Sequence, residues 1–436
     1  MVGGIIRRGL TYAGVLTIAL WGALAPASAQ APTDSTVALV GARVINGAGD
    51  APIENATIII AQGRIAAVGP AASVTIPSGA TRVNMAGKTI LPGLISDHSH
   101  VTVEAVIKRP ARDYMLETLK LYSDYGVTTV VSLGSATLAD EAEGFRIRDE
   151  QRRGTPDRTR LITAGMNAIG KTPEEARASV DRLADAKADL IKYHINGRPA
   201  DMTPEIYGAL VDEAKKRNLI TTVHVFYLKD AKLAIEKGTN AVVHSVRDQD
   251  VDKALIDMMK RNNVAYVPTL TRDLSVFIYE TRPAFFDEPF FRKGISRYQR
   301  EVDILSDPKL QIETRDSAEA KTIKVALKQA NRNLKLLSDA GVLIGMGTDT
   351  ASPGDLGRWP GYFEHVEMEM MVQAGMTPMQ VIKAATGDAA RIMKLDSLGT
   401  IAPGKAADLL VLNANPLVDI RNTRQIDSVW IAGRKL

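Results

Sequence analysis

The sequence predicts an α/β fold, a (β/α)₈ TIM barrel with a small β-sandwich domain formed by both chain ends. Eight candidate buried strands alternate with helical stretches through the middle of the chain, and short β-rich segments occupy its ends. About 250 of the 436 residues remain for the barrel once the leader, the ends and one insert are set aside, which is its usual length. The expected parts are a signal peptide at 1–29, the N-terminal part of the sandwich at 30–92, the barrel at 93–395 with a lid-like insert at 273–325, and the C-terminal part of the sandwich at 396–436.

Composition narrows the classes of function. The chain is 45% hydrophobic and 24% charged, which is typical of a globular protein and excludes long disorder, a coiled coil and a bundle of membrane helices. It contains no cysteine, so disulfides, thiolate zinc sites, iron–sulfur clusters and a cysteine nucleophile are excluded. Any metal must therefore be held by nitrogen and oxygen. A net charge of +4 gives no indication of a nucleic-acid partner.

The first 29 residues have the pattern of a secretory signal peptide. An Arg7-Arg8 pair precedes an apolar stretch from Leu10 to Leu24, and Ala27-Ser28-Ala29 supplies small residues for cleavage. We expect cleavage after Ala29 and an exported protein, periplasmic or secreted, with no stable membrane anchor. The apolar stretch, about 15 residues, is shorter than the roughly 20 that span a bilayer, and an uncleaved anchor is the alternative. The arginine pair leaves both the Sec and the twin-arginine routes open.

Both ends of the mature chain have the texture of short strands. Alternating or β-branched runs are separated by turn residues such as Asn46-Gly47 and Gly63. The expected strands are residues 37–44, 56–61, 64–68 and 82–85 near the start, and 408–412 and 427–432 near the end. Their similar character predicts that the two ends come together in one small domain.

In the middle of the chain, apolar runs of strand length alternate with helical stretches. The expected strands are residues 94–98, 127–133, 160–164, 190–195, 220–226, 241–246, 264–270 and 342–348, with helices between most of them, for example at 173–186, 204–217 and 229–237. Barrel enzymes place their active sites at the C-terminal ends of the strands. Polar residues at those ends are therefore the first candidates for a site.

Four of the six histidines fall at such strand ends. The first strand ends in Asp97-His98-Ser99-His100, and residues two apart on a strand face the same way, so His98 and His100 can bind one metal. His224 and His244 end the fifth and sixth strands and would reach the same rim. Each histidine alone could equally be structural and hydrogen-bonded, but their equivalent positions favour a shared site.

Strands 4 and 8 add a lysine and a carboxylate. Lys192 lies near the end of strand 4, and because lysine is seldom buried without a partner, it is either a solvated strand end or a functional residue. Asp349 follows strand 8, where an aspartate is commonly a helix N-cap. Closure of the barrel would instead bring Asp349 beside the first strand.

This set of residues resembles the amidohydrolase superfamily. The resemblance extends over nearly all of the mature chain. It includes the segment from Gly87 to His100 that leads into the HxH motif, the late helical segment 374–378 followed by 384–386, and the segment from Gly399 to Val411 near the C-terminus. Within the superfamily the chain is most similar to the branch of imidazolonepropionase-like and prolidase-like amidohydrolases, secreted dipeptidases and ochratoxin amidohydrolases. The motifs are specific for the superfamily and not for a substrate.

The resemblance implies a site with two divalent metal ions. His98, His100 and Asp349 would hold one ion, His224 and His244 the second, and a carboxylated Lys192 would bridge them with a shared hydroxide. Zinc is the metal expected first for nitrogen and oxygen ligands, with manganese, cobalt or iron as alternatives. Asp349 would carry the proton from the attacking hydroxide to the leaving nitrogen.

Three further residues are candidates for contact with the substrate. His194 lies two residues after Lys192 on the same strand face, Tyr227 follows His224 by three residues, and Arg247 follows His244 by three. A structural hydrogen bond is the alternative for His194, and a pair with a nearby aspartate is the alternative for Arg247. His365, on an expected helix after strand 8, is interpreted as structural.

The insert at 273–325 contains five of the eight phenylalanines, at 277, 285, 286, 290 and 291. It is either a lid over an apolar part of the substrate or a packing or dimer surface.

The expected function is hydrolysis of an amide bond in a small molecule such as a dipeptide or an N-acyl amino acid. Hydrolysis of a lactone, cyclic amide or phosphotriester at the same site is the alternative, and a non-catalytic scaffold is a third. A homo-oligomer is left open.

Overall fold

The computed structural model describes residues 36–103, 109–352 and 354–436. The expected signal peptide at 1–29 lies outside these residues. Among the described helices, none combines the length and the apolar character that crossing a membrane requires.

Strands from both chain ends share one eight-stranded sheet. The strands are β1 (Val37–Val44), β2 (Ile53–Ala61), β3 (Arg64–Pro70), β4 (Thr81–Asn84), β5 (Thr89–Pro92), then, after the central part of the chain, β13 (Leu409–Leu412), β14 (Ile426–Ile431) and β15 (Arg434–Lys435). Their order is β15-β14-β13-β5-β1-β2-β3, and β4 pairs in parallel with β1. The two ends meet where β5 pairs antiparallel with β13. Hydrogen bonds join all eight strands in a single sheet, and two facing sheets of a sandwich are not shown by the described residues.

Seven parallel strands lie between these ends. They are β6 (Leu94–Ser99), β7 (Val127–Ser132), β8 (Arg160–Thr163), β9 (Ile191–His194), β10 (Thr221–His224), β11 (Ala241–Val243) and β12 (Ala265–Val267). The first three form one hydrogen-bonded sheet and the last four another. Together with the intervening helices they give a TIM-barrel-like α/β fold, with their carboxyl ends directed to one rim.

Helices connect successive strands. They are α1 (Ala111–Asp124), α2 (Leu138–Arg153), α3 (Pro173–Asp185), α4 (Pro204–Lys216), α5 (Leu228–Glu236) and α6 (Lys253–Asn262). Thr172 and Thr203 cap α3 and α4 by accepting a backbone N–H, and a proline follows each cap at the first helical position. These local signals are the reason that both helices begin where the sequence predicts.

The segment expected as an eighth strand, residues 342–348, lies at the expected position between β12 and β6 but forms single parallel bridges in place of a regular strand. Single bridges join Ile344 to Tyr266 of β12 and Thr350 to Ser99 of β6. Two glycines explain the irregular backbone, because a Cβ at Gly345 would clash with the carboxylate of Asp97, and one at Gly347 would lie 2.8 Å from His98. The segment nevertheless contacts both β12 and β6, so Asp349 reaches the rim.

The chain after β12 is largely helical. Its helices are α7 (Leu270–Ser275), α8 (Pro289–Arg292), α9 (Ile295–Leu305), α10 (Pro308–Asp316), α11 (Ala318–Asp339), α12 (Tyr362–Gln373), α13 (Pro378–Ala384) and α14 (Gly387–Ile392), with 3₁₀ turns at Ile278–Glu280 and Ala284–Asp287. The aromatic residues of the insert pack together: Phe286 and Phe291 are fully buried with Trp359, whose ring lies 5.1 Å from that of Phe291.

Candidate metal centre

Three side chains from β6 and the segment after β12 offer metal-ligand atoms in one place. One ligand atom each of His98, His100 and Asp349 lies within 4.8 Å of the other two. Asp349 Oδ1 is 3.1 Å from His98 Nε2 and 3.0 Å from His100 Nε2. His98 lies on β6 and His100 follows the strand directly, and the HxH spacing brings both side chains to the same site.

Backbone and hydrogen bonds orient these ligand atoms. The Nδ1 atom of His100 lies 3.1 Å from the carbonyl oxygen of Gly134, which can only accept, so Nδ1 donates and Nε2 presents its lone pair to the site. Asp349 has a left-handed backbone with φ of 62°, which non-glycine residues adopt at a cost. Strained backbone of this kind is common at functional sites.

His224 and His244 complete a ring of histidines at the ends of β10 and β11. The ring of His244 lies 4.2 Å from that of His224 and 4.6 Å from that of His98. His244 has φ of 66°, and its Nδ1 atom lies 2.7 Å from Thr269 Oγ1. The two residues therefore join the three-residue cluster rather than a separate site.

Lys192 lies on β9 with its side chain completely buried. Its Nζ atom has no hydrogen-bond partner among the described residues. Burial lowers the pKa of Lys192 to about 7, and the positive charge of Arg272 acts in the same direction, whereas Asp349 opposes it. A neutral amine is thus accessible near neutral pH, as formation of a carbamate requires.

Burial also keeps His98, His224 and His244 in their neutral, ligating form. It lowers the pKa of His98 to about 3, with the charge of Lys192 as the next cause, and it holds the pKa values of His224 and His244 well below their usual range. Although burial alone would raise the pKa of Asp349, Arg358 and His98 hold it well below its usual value. Neutral imidazoles and an ionised carboxylate are the forms that bind a metal. The donor set and the unpaired Lys192 amine both fit two divalent cations.

Two arginines at the rim were not identified from the sequence. Arg358 Nη1 lies 2.5 Å from Asp349 Oδ2 and 2.9 Å from Asp355. Arg272 Nε lies 3.8 Å from the same Asp349 oxygen. Each follows the end of a rim segment in the chain, but no periodicity or motif distinguishes them from other surface arginines.

The metal-ligand cluster forms the floor of a cavity of about 550 Å³. Most of its lining is polar and comes from loops after the strands. The lining residues are His98, His100, Gly134, Ser135, Asn167, His194, His224, His244, Arg272, Ser275, Val276, Glu319, Asp349, Ser352, Asp355, Leu356 and Arg358.

The three expected substrate contacts differ in position. His194 lines the cavity, and its ring is 5.0 Å from that of His224. Tyr227 is half-buried at the start of α5 and is not part of the described lining. Arg247 is buried behind the wall, where its Nε lies 3.1 Å from Asp273 Oδ2. It pairs with an aspartate, as the alternative interpretation held, although the partner differs from the nearby residues considered.

His365 is buried on α12 and takes no part in the cluster. One ring nitrogen lies 2.8 Å from the carbonyl oxygen of Tyr125, and the other lies 2.9 Å from Thr423 Oγ1. Both ring nitrogens are therefore used in packing α12 against the rest of the fold.

Two glutamates of α12 support the site from behind. Glu364 Oε1 accepts hydrogen bonds from four hydroxyls, those of Ser96 and Ser99 on β6 and of Thr348 and Thr350 beside Asp349. Glu367 accepts the backbone N–H groups of Leu270 and Thr271, both at 2.7 Å. One helix thus fixes the backbone next to His98, Asp349 and Arg272.

The insert contributes to the cavity through its beginning and its end only. Ser275, Val276 and Glu319 line the cavity, whereas the five phenylalanines do not belong to the described lining. Whether the insert acts as a lid stays a prediction.

Comparison with known proteins identifies relatives of this arrangement. A family profile described as "Amidohydrolase family" matches residues 89–436. Ochratoxinase from Aspergillus niger is 27% identical over 287 residues, 62% of this chain and 51% of that protein, so the matched part spans about half of that relative. Imidazolonepropionase from Streptomyces avermitilis is 26% identical over 404 residues, 88% of this chain and 87% of that protein. A Bifidobacterium longum protein of known structure, provisionally named a prolidase, superposes with a TM-score of 0.75 at 26% identity, covering 93% of this chain and 95% of its own.

Proposed function

The chain belongs to the amidohydrolase family, and on that premise we propose that it uses two divalent metal ions to hydrolyse amide bonds of small substrates such as dipeptides or N-acyl amino acids. It is a hydrolase of carbon–nitrogen bonds. The observation that carries the proposal is the convergence of four histidines and one aspartate on one cavity. The buried Lys192, whose amine has no hydrogen-bond partner among the described residues, lies near enough that its charge adds to burial in lowering the pKa values of His98 and His224.

The residues divide into two sets of ligands. His98, His100 and Asp349 would hold one ion, and His224 and His244 the other, with carboxylated Lys192 between them. Bound there, two such ions, zinc in the first instance, would supply a water nucleophile at neutral pH and stabilise negative charge on the carbonyl oxygen.

Asp349 is the residue proposed to move the proton. Its Oδ2 atom is held by Arg358, which leaves Oδ1 directed at the histidines and the cavity floor. From that position Oδ1 can accept the proton of the attacking water and deliver it to the leaving nitrogen. The low pKa of Asp349 keeps it ionised and ready to accept before each turnover.

We propose that the strands close into a complete (β/α)₈ barrel. Supporting contacts bridge both open edges: the N–H of Asp189, just before β9, donates to the carbonyl of Thr163 on β8, and the 344–350 segment bonds β12 on one side and β6 on the other. A second layer that would make the end domain a sandwich is part of the same proposal.

Export is proposed from the N-terminal pattern alone. Cleavage after Ala29 would give a mature chain beginning at Gln30, which N-terminal sequencing of the exported protein would detect. An uncleaved anchor would leave the apolar stretch attached.

A screen of the purified, metal-loaded protein tests the proposed function. The library should contain dipeptides and N-acyl amino acids, with esters, lactones, cyclic amides and phosphotriesters as comparison substrates. We expect hydrolysis of one or more linear amides at the highest kcat/KM. Turnover confined to lactones, cyclic amides or phosphotriesters would assign the site to the alternative reaction, and no turnover at all would favour a scaffold.

A further inference from the structure

We propose that Arg272 binds a free carboxylate of the substrate, so that the amides hydrolysed carry a carboxylate next to the leaving nitrogen. This inference rests on the proposed function and names the feature of the substrate that selects it.

Arg272 is the more exposed of the two arginines in the described lining of the cavity. Its side chain is 22% exposed and lines the cavity, whereas the side chains of Arg247 and Arg358 are only 1% and 6% exposed. Arg358 has two close carboxylate partners, Asp349 at 2.5 Å and Asp355 at 2.9 Å. Arg272 has one close partner, Asp273 at 2.8 Å, and lies 3.8 Å from Asp349. Arg272 is therefore the cation best placed to meet an incoming anion.

A buried ion pair holds Arg272 in place from behind. Its Nη1 atom donates to Asp273 Oδ1 at 2.8 Å, and the other oxygen of Asp273 lies 3.1 Å from Arg247 Nε. One aspartate is thus shared by two arginines, and its single negative charge cannot neutralise both. The arrangement fixes the Arg272 side chain before a ligand arrives, which lowers the entropic cost of binding.

Because Arg272 lies beside Asp349, a carboxylate bound to it would be on the leaving side of the amide. Arg272 Nε is 3.8 Å from Asp349 Oδ2, and Asp349 is the residue proposed to protonate the leaving nitrogen. In an N-acyl amino acid, only the α-carbon separates that nitrogen from the carboxylate. A substrate held by Arg272 would therefore present its nitrogen to Asp349.

The rest of the wall agrees with a polar ligand. Ser275 Oγ accepts a hydrogen bond from Arg358 Nε at 3.3 Å, and Ser352 Oγ donates to Asp355, a partner of Arg358. Val276 and Leu356 are the aliphatic side chains larger than alanine in the described lining. Neither Tyr227 nor Arg247 belongs to that lining, and Arg247 is paired with Asp273. A guanidinium is well suited to a carboxylate because it can donate two parallel hydrogen bonds.

The first test compares matched substrates on the wild-type enzyme. For an amino acid that gives turnover, release of the acyl group is measured from the N-acetyl amino acid and from its primary amide, which lacks the carboxylate. We expect kcat/KM to be on the order of 100-fold higher for the acid. Equal values for both would overturn the role of a carboxylate while leaving amide hydrolysis intact. No turnover of any amide would remove the proposed function, and this inference with it.

The second test uses Arg272→Met and Arg272→Lys, with Arg282→Met as a matched control. Arg282 lies ten residues further along the chain and pairs with Asp287 on the surface. We expect Arg272→Met to raise KM for the acid on the order of 100-fold and to bring kcat/KM for the acid close to that for the amide, and Arg272→Lys to recover part of the preference. Arg282→Met should keep the wild-type preference for the acid. An equal loss for acid and amide would mean that Arg272 acts only on Asp349. If Arg272→Met does not fold, the comparison of the two substrates in wild type and Arg272→Lys gives the same decision.

Discussion

Lys192 is the residue on which the two-metal interpretation depends most. Its amine is buried, lies beside the histidine ring and has no hydrogen-bond partner among the described residues. An amine in such a place is costly unless it is neutral or chemically modified. A bridging carbamate would remove this cost and supply an oxygen ligand to each ion.

We therefore predict that Lys192→Ala loses most of its activity and one metal ion per chain. Short carboxylic acids should restore part of the activity, because a free carboxylate can occupy the position of the carbamate. Metal analysis and turnover with and without added acid measure both effects. His365→Gln, outside the cluster, should keep both ions. A Lys192→Ala enzyme with two ions and full activity would contradict the bridging role.

The buried His365 leads to a separate prediction about how the stability of the protein depends on pH. Burial lowers its folded-state pKa from 6.5 to about 3. Between these values the unfolded chain binds a proton at His365 and the folded chain does not. The contribution of His365 to the free energy of unfolding is therefore at its full value above pH 6.5 and decreases as the pH falls below 6.5. His365→Gln should reduce the proton uptake on unfolding at pH 5 by about one. Urea unfolding between pH 4.5 and 6.5 gives this slope, and an unchanged slope would contradict the buried neutral state.

Helix α12 links the fold to the site. Glu364 joins the strand that presents His98 to the segment that presents Asp349, and Glu367 holds the first residues of α7, the helix that carries Arg272. Groups that orient metal ligands affect affinity even without touching the metal.

We predict that Glu364→Gln weakens metal binding by roughly 10–100-fold, because an amide cannot accept from all of the hydroxyls that the carboxylate gathers. Titration of the metal-free protein with Co²⁺, followed by its absorption spectrum, measures the affinity and the ligand geometry. Glu369→Gln is the control on the same helix, since Glu369 pairs with Arg424 at the surface. Loss of thermal stability with an unchanged spectrum and affinity would make Glu364 a packing residue only.

We expect substitutions in the aromatic insert to change the stability of the fold and not the choice of substrate. Phe286 is fully buried against Phe291 and Trp359. Phe286→Ala should lower the free energy of unfolding by about 3–5 kcal/mol and leave the ratio of kcat/KM for large and small substrates unchanged. Chemical denaturation together with a substrate series checks this. A selective rise in KM for bulky apolar substrates would instead support the lid.

The sequence was informative where local chemistry determines the structure. The first strand, 37–44, has the bounds that its β-branched alternation predicts, and helix 204–217 begins at its threonine cap and proline. Strand 264–270 was predicted too long, because Thr269 has a left-handed backbone and α7 begins at Leu270. A periodic pattern cannot show where such a turn interrupts it.

The residues of the site also divide into those that the sequence could predict and those that it could not. Histidines at strand ends could be placed in advance, because barrel topology brings those ends to one rim. Arg272, Arg358 and Glu364 could not, since their roles depend on loops and on a helix that meet the site only in three dimensions. Their side chains carry no spacing signal that separates them from ordinary charged residues.

In the molecule as a whole, β6 connects the two parts of the fold. It follows β5 of the end sheet after one residue, carries His98, and ends directly before His100. The end sheet thereby anchors the chain directly before the first metal ligands. The α/β body supplies the remaining ligands from successive strand ends, and the loops after them supply the polar cavity wall.

The most direct test of the account is a metal titration of the metal-free wild-type protein, with hydrolysis of the best amide substrate measured at each step. The account predicts that activity rises to a plateau at two equivalents of Zn²⁺ per chain and that a chelator removes it. Full amide hydrolysis in the metal-free protein, or a plateau at one equivalent, would contradict a two-metal site.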